Sequence, residues 1–167
     1  MKRSLSLASG LAFVLLAGAL HGQTLWPGTT AGMSVGQVQK MFPDAREPEK
    51  AIDLPAGRGT ELLDLDSTVI ADRKFKVRFF FKQELLVNVT LVAVGDVEEK
   101  EFETFRDLLR AKYDHEYSTT SGMVIEVKWK AVQTVILLNW APPGHEQGSG
   151  TMAISYEAPI PKETDRL

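Results

Sequence analysis

The alternation of apolar and polar side chains between positions 75 and 82 is the clearest structural pattern in the chain. Successive side chains of a β-strand point to opposite faces of the sheet, so a period of two is typical of a strand that buries one face. The apolar positions of this run are Phe75, Val77, Phe79 and Phe81, and the positions between them are Lys76, Arg78, Phe80 and Lys82. The run therefore predicts a half-buried strand in a sheet with two chemically different faces.

A second apolar run, from Leu85 to Val94, follows this strand and predicts an antiparallel hairpin. Lys82-Gln83-Glu84 would form a three-residue turn between the two runs. This turn length places the apolar positions of the first strand opposite Leu85, Val87, Val89 and Leu91. A two-residue turn would move those side chains to the other face of the sheet.

The rest of the chain predicts further strands. Segments 123–131 and 134–140 should form a hairpin with a tight turn. In that hairpin Ile125, Val127 and Trp129 would lie opposite Trp140, Leu138 and Ile136, respectively. Alternation from Thr151 to Glu157 predicts a last strand, and a further strand is expected from Glu61 to Ala71.

Two helices are predicted. Ser34 and Gln37 have the spacing of a capping box, which begins the first helix, and Pro43 ends it. Asp96 is expected to cap the second helix. The apolar face of the second helix consists of Phe102, Phe105, Leu108, Leu109 and Tyr113.

The order of helix and strands suggests that one structural unit occurs twice, first at about 28–94 and again at about 95–158. The predicted fold is therefore α+β: an antiparallel sheet with helices packed on one face, built from two tandem helix-plus-sheet units. Both units are assigned to one domain, 23–158, because a mature chain of roughly 145 residues suits a single core. Residues 159–167 are expected to form a flexible tail.

Residues 1–22 have the features of a secretory signal peptide. Lys2 and Arg3 give a positive start, an apolar run extends from Leu11 to Leu20, and cleavage is expected after Ala19 or Gly22. The apolar run is shorter than the about 20 residues that cross a bilayer, so cleavage is favoured over an uncleaved anchor. We therefore expect a periplasmic or secreted protein without a stable membrane anchor.

The chain contains no cysteine, which excludes disulfides, thiolate metal sites and a lipid-bearing N-terminal cysteine. Removal of residues 1–22 takes away Lys2 and Arg3, so that 17 basic and 22 acidic side chains remain. A nucleic-acid-binding protein would carry a basic excess. The charge balance therefore argues against a nucleic-acid partner.

Several of these residues together resemble a known family. The order Gly32-Met33-Ser34, Val38 and Phe42-Pro43, followed by the phenylalanine-rich strand and its hairpin partner, resembles the SmpA/OmlA (BamE-type) domain of small exported bacterial proteins. It is similar too to the β-lactamase-inhibitor-protein fold, which joins two helix-plus-sheet units in one chain. The resemblance implies a non-enzymatic domain whose helices pack on one sheet face and whose other face or loops bind a protein partner.

The search for catalytic and metal-binding residues gives few candidates. His115 and His145 are each followed by a glutamate and would bind a metal if they met at one edge, but two exposed loop histidines are the favoured interpretation. Asp64 and Asp66 share one strand face, where solvated charge is favoured over a glycosidase-like carboxylate pair. A serine hydrolase is discounted because Ser118, Ser121, Ser149 and Ser155 lie outside any G-x-S-x-G context. We therefore expect a non-enzymatic protein without a cofactor.

The remaining candidate is a surface on the sheet face opposite the core. Its predicted members are Lys76, Arg78, Phe80, Lys128, Lys130 and Leu137, with Val135 and Asn139 beside them. Apolar residues with a basic rim suit an acidic protein partner, whereas the competing interpretation is a solvated face with Phe80 as an exposed aromatic.

The leading functional hypothesis is an exported protein-binding module, such as an inhibitor or an envelope-assembly accessory, that is monomeric or weakly associated. The alternative is a small-ligand or metal-binding protein that uses a cavity between helices and sheet or the edge with His115 and His145.

Overall fold

The computed structural model describes residues 24–120, 122–143 and 150–158. These residues form two α-helices, α1 (Val35–Met41) and α2 (Glu99–Tyr113), and a short 3-10 turn (Pro55–Gly57). The strands are β1 (Thr60–Ile70), β2 (Arg73–Lys82), β3 (Leu85–Ala93), β4 (Ser118–Thr120), β5 (Ile125–Ala131), β6 (Thr134–Ala141) and β7 (Thr151–Glu157). The predicted signal peptide, 1–22, and the predicted tail, 159–167, lie outside the described residues.

All seven strands belong to one antiparallel sheet with the order β1-β2-β3-β7-β6-β5-β4. The prediction of an α+β fold made of two tandem helix-plus-sheet units is wrong, because the sheet dominates the molecule. Direct pairing of β3 with β7 joins the strands of both halves into one sheet. The helices are short, with 7 residues in α1 and 15 in α2.

The first helix is too short to cover the strands of its own half of the sheet. Its capping box is confirmed, since the Ser34 and Gln37 side chains each accept a hydrogen bond from the backbone N–H of the other residue. Val38 is the buried residue of α1. Aromatic rings supply the remaining cover, because Phe42 packs against Trp26 and Phe79 with centroid distances of 5.5 and 5.4 Å.

The second helix begins later than predicted. Glu98 is its N-cap residue, so the prediction of Asp96 is wrong. The chain before Glu98 is not helical. The Arg73 guanidinium holds it by donating hydrogen bonds to the backbone carbonyls of Gly95 and Asp96 at 3.1 and 2.6 Å. Val97, which lies between Asp96 and the N-cap residue, is buried in the core.

The second helix packs on the same sheet face that carries the core. Phe105 makes an edge-on contact with Phe75 at 5.3 Å, and Phe102 stacks on Trp140 at 5.2 Å. Leu109 is also buried, whereas Leu108 of the predicted apolar face is exposed. We call this sheet face the inner face and the opposite one the outer face.

The register of the β5–β6 hairpin is confirmed. Its three predicted cross-strand pairs are Ile125 with Trp140, Val127 with Leu138, and Trp129 with Ile136. The predicted last strand is present as β7, and the strand predicted from position 61 is present as β1.

The turn predicted between β2 and β3 is wrong. Gln83 and Glu84 form a two-residue turn with positive φ angles of 50° and 63°, and Lys82 pairs with Leu85. A register shift then follows, since the strand pairs are Phe81 with Leu86 and Phe80 with Asn88. This β-bulge restores the alternation, because one extra residue returns Val89 and Leu91 to the inner face. The list of inner-face residues of β3 therefore includes Leu86 instead of the predicted Leu85 and Val87.

The chain between α1 and β1 runs along the free edge of β1. Arg46 and Asp64 exchange backbone hydrogen bonds of 2.9 and 2.7 Å, and Glu61 N–H donates to the Ile52 carbonyl at 2.9 Å. Pairing of this kind protects an edge strand from further association. Within the described residues, no helix has both the length and the apolar composition needed to span a bilayer.

Candidate functional site

The predicted surface residues lie on the outer face of three strands. Because they alternate with core residues, Lys76, Arg78 and Phe80 of β2, Lys128 and Lys130 of β5, and Leu137 of β6 all occupy this face. One cross-strand row joins the two groups, since Arg78 pairs with Thr90, Thr90 with Ser155, Ser155 with Leu137, and Leu137 with Lys128. Strands β3 and β7 therefore separate the residues of β2 from those of β5 and β6.

Phe80 is not an exposed aromatic. Its side chain is only 2% exposed, and its cross-strand neighbours Glu61 and Asn88 are buried too. The segment between α1 and β1 reaches this part of the outer face, because Arg58 of that segment pairs with Glu157 at 3.2 Å. We attribute the burial of Phe80 to this segment, and both sequence interpretations that required an exposed Phe80 are wrong.

Lys76 and Arg78 face buried acids of β1. The Lys76 ammonium lies 2.7 Å from the Asp64 carboxylate, and Arg78 Nη1 lies 3.6 Å from Glu61 Oε2. Glu61 is 1% exposed and Asp64 is 2% exposed, so the interpretation of Asp64 as solvated charge is wrong. Asp66 does remain at the surface, where it pairs with Arg46.

These residues line a pocket of about 310 Å³, which we call the charged pocket. Its walls are segment 46–50, Glu61, Asp64 and Asp66 of β1, and Lys76 and Arg78 of β2. Burial raises the pKa of Glu61 above its ordinary value, although the Arg78 guanidinium acts in the opposite direction. A buried acid with a raised pKa in a pocket is typical of a binding or catalytic site.

The middle of the outer face is a network of polar side chains. Glu157 accepts hydrogen bonds from Arg58 and from the Asn88 amide, the latter at 3.1 Å. Thr90 continues the network, since its hydroxyl lies 2.8 Å from the Asn88 oxygen and 2.9 Å from the Ser155 hydroxyl. Beyond this network, β5 and β6 form the part of the outer face that lies away from β2.

That part contains Lys128, Lys130, Val135, Leu137 and Asn139, which we call the β5–β6 patch. Lys130 is exposed and the other four residues are half-buried. A hydrogen bond of 2.7 Å from Lys128 to Glu126 raises the pKa of Lys128 above its ordinary value. The patch therefore combines an apolar centre with two charged ammonium groups.

Only one of the two histidines considered for a metal site, His115, lies within the described residues. His115 is exposed, and His145 with Glu146 lies outside the described residues. Glu116 is already bound by Arg106 and Arg110. In the described part of the chain, no group of three or more His, Cys, Asp or Glu side chains is placed to hold a metal ion.

A second pocket of about 240 Å³ lies at the end of α2. Tyr113 and Lys112 line one side of it, and Leu25, Ala131 and Ile136 line the other. This is a cavity between helix and sheet of the kind that the ligand-binding alternative requires.

Sequence reasoning considered Asp64 only as a pair with Asp66 and did not identify Glu61 as a member of a site. The available signal was the presence of acids in the strand before a strand with alternating basic residues. The register that sets Asp64 opposite Arg78 and Glu61 opposite Phe80 depends on shifts in pairing that the residue pattern does not reveal.

Comparisons with protein-family models, with curated proteins and with solved structures gave no match to this chain. The resemblance to the SmpA/OmlA domain and to the β-lactamase-inhibitor-protein fold therefore stays a prediction.

Proposed function

We propose that this chain is an exported, non-enzymatic protein-binding module whose partner docks on the β5–β6 patch. The observation that carries the proposal is the half-exposed apolar surface of Val135 and Leu137 on the sheet face opposite the helices. Lys128 and Lys130 flank this surface on the neighbouring strand. An apolar centre with a polar, solvent-accessible rim is typical of a protein–protein interface.

The chemistry of the patch suits a partner with exposed apolar side chains and nearby carboxylates. Lys130 is exposed and available for such a carboxylate, whereas Lys128 already pairs with Glu126. Complementary charge at the rim of an interface mainly raises the association rate and the specificity. Burial of Leu137 and Val135 would supply the hydrophobic contribution to the affinity.

Export of the protein is the second part of the proposal. Lys2, Arg3 and the apolar run 11–20 support cleavage of a signal peptide after Ala19 or Gly22. The intact mass of the protein recovered from the envelope or the medium should therefore correspond to a chain that begins at position 20 or 23. Recovery of the uncleaved chain from the cytosol would contradict this part.

The docking surface is tested by the double substitution Leu137→Ser with Lys130→Glu. We expect the variant to fold and to bind its partner at least about tenfold more weakly, which corresponds to about 1.4 kcal/mol. The measurement is capture of partners from an envelope extract by the mature protein, followed by titration of the purified main partner into wild type and variant.

The matched control is Lys100→Glu, which makes the same charge reversal on the exposed surface of α2. This control should bind the partner as wild type does. Equal binding by all three proteins would remove the β5–β6 patch as the docking surface.

A further inference from the structure

The charged pocket contains buried polar atoms that its own ion pairs leave without partners. Within the described residues, no hydrogen-bond partner is present for Glu61 Oε2, Asp64 Oδ1 or Arg78 Nε. The contact between Arg78 Nη1 and Glu61 Oε2 is 3.6 Å, which exceeds a hydrogen-bond length. A buried polar atom without a hydrogen-bond partner destabilises the folded protein, so the site favours a ligand that supplies the missing bonds.

The unpartnered atoms require both a hydrogen-bond donor and a hydrogen-bond acceptor from the ligand. The two carboxylate oxygens accept hydrogen bonds, whereas the guanidinium Nε–H of Arg78 donates one. An ammonium group offers three N–H donors, and a carboxylate offers two acceptor oxygens. These three atoms are buried behind the pocket surface, so a ligand with both groups would satisfy them once the Glu61, Asp64 and Arg78 side chains turn toward the pocket.

We propose that the charged pocket binds a small zwitterion of the amino-acid type, whose ammonium group binds Glu61 and Asp64 and whose carboxylate binds Arg78. This site is separate from the β5–β6 patch and does not depend on the function proposed above. The lining contains five acids and four bases, so it is close to neutral and suits a ligand without net charge.

Ligands with only one charge fit the lining less well. A simple amine would leave Arg78 Nε unpartnered and would approach the Lys76 ammonium. A simple carboxylate would leave both acids unpartnered and would approach Glu61, whose burial already disfavours negative charge. The volume of about 310 Å³ is at the lower end of the range for small-molecule sites, which agrees with a ligand of a few heavy atoms.

The test is calorimetric titration of the wild-type mature protein at neutral pH with five probes. Glycine, β-alanine and γ-aminobutyrate separate the two charges by increasing distances, whereas butylamine and butyrate each carry one charge. We expect at least one of the three zwitterions to bind, and to bind at least about tenfold more tightly than butylamine and butyrate. Absence of binding by all three zwitterions, or equal binding by butylamine or butyrate, would overturn the proposal.

The position of the site is tested with two isosteric substitutions, Glu61→Gln and Asp64→Asn. Each should weaken the tightest zwitterion by about tenfold, provided that circular dichroism shows a folded protein. Asp107→Asn on the exposed surface of α2 makes the same change from acid to amide and should leave the affinity unchanged. A folded Glu61→Gln or Asp64→Asn variant with wild-type affinity would show that the zwitterion binds elsewhere.

Discussion

Phe80→Ala is expected to lower the free energy of unfolding by about 3–5 kcal/mol, the usual effect of removing a buried aromatic side chain. Phe80 is only 2% exposed. It nevertheless lies on the outer face of the sheet, where the other side chains of β2 are charged. The loss comes from the buried area of the ring and from the cavity that its removal leaves between buried Glu61 and Asn88. Urea or thermal denaturation monitored by circular dichroism measures this change.

Tyr117→Ala is the matched control, because Tyr117 is an aromatic residue that is 59% exposed. Its removal should change the free energy of unfolding by no more than about 0.5 kcal/mol. If Phe80→Ala were as mild as this control, the segment between α1 and β1 would not cover the outer face of β2. Phe80 would then return to the candidate docking residues.

Phe80 also shows where sequence reasoning reached its limit. The period of two correctly places Phe80 on the face opposite Phe79 and Val77. The pattern does not show that a third layer covers this face. That layer is an irregular segment with several prolines and glycines between positions 43 and 59, and its path is fixed by backbone hydrogen bonds to the edge of β1 rather than by any periodic pattern.

Registers were predictable only where the strands pair without irregularity. The residue pairs between β5 and β6 were predicted correctly because a two-residue turn joins two regular strands. In the β2–β3 hairpin the same kind of turn is followed by a bulge, and the correct face of Val89 was predicted from an incorrect turn. The apolar pattern identifies the buried face, but it does not distinguish a longer turn from a shorter turn with an extra residue in the strand.

The prediction of the fold class was wrong for a related reason. Each half of the chain does contain one helix and several strands, but the local pattern does not reveal that β3 pairs with β7. This pairing joins residues more than 60 positions apart, such as Val89 and Tyr156. One continuous sheet with two short helices is the result.

The two candidate sites divide the outer face between them. The network around Glu157 and Asn88 fixes the middle of the face, with the charged pocket on the β1–β2 side and the β5–β6 patch on the other. The pocket has buried ionisable groups and a small volume, whereas the patch is open and half-apolar. These properties suit a small polar ligand and a protein surface, respectively.

Glu116→Gln is expected to lower the free energy of unfolding at neutral pH by about 1.5–3 kcal/mol, the range for hydrogen bonds that involve charged groups. Glu116 accepts bonds from Arg110 Nε at 2.7 Å, from Arg110 Nη2 at 2.5 Å and from Arg106 Nη2 at 2.5 Å. These bonds hold the loop after α2 against the helix, and the Glu116 side chain is largely buried. Glu103→Gln is the matched control, because Glu103 makes one longer contact of 3.4 Å with Arg106 and is more exposed, so its loss should be below about 1 kcal/mol.

The pH dependence of the unfolding free energy distinguishes the contribution of the Glu116 charge from the contribution of its side-chain packing. Hydrogen bonds from Arg110 lower the pKa of Glu116 from its ordinary value of 4.5. The ionised group therefore contributes its full stabilisation above about pH 4.5, and this contribution is lost as the pH falls through the lower pKa of the folded state. Glutamine cannot titrate, so the difference in unfolding free energy between wild type and Glu116→Gln should be largest at neutral pH and should narrow as the pH falls below about 4.5. A difference that stays constant down to the acid limit of folding would show that packing of this side chain, and not its ion pairs with Arg106 and Arg110, stabilises the loop.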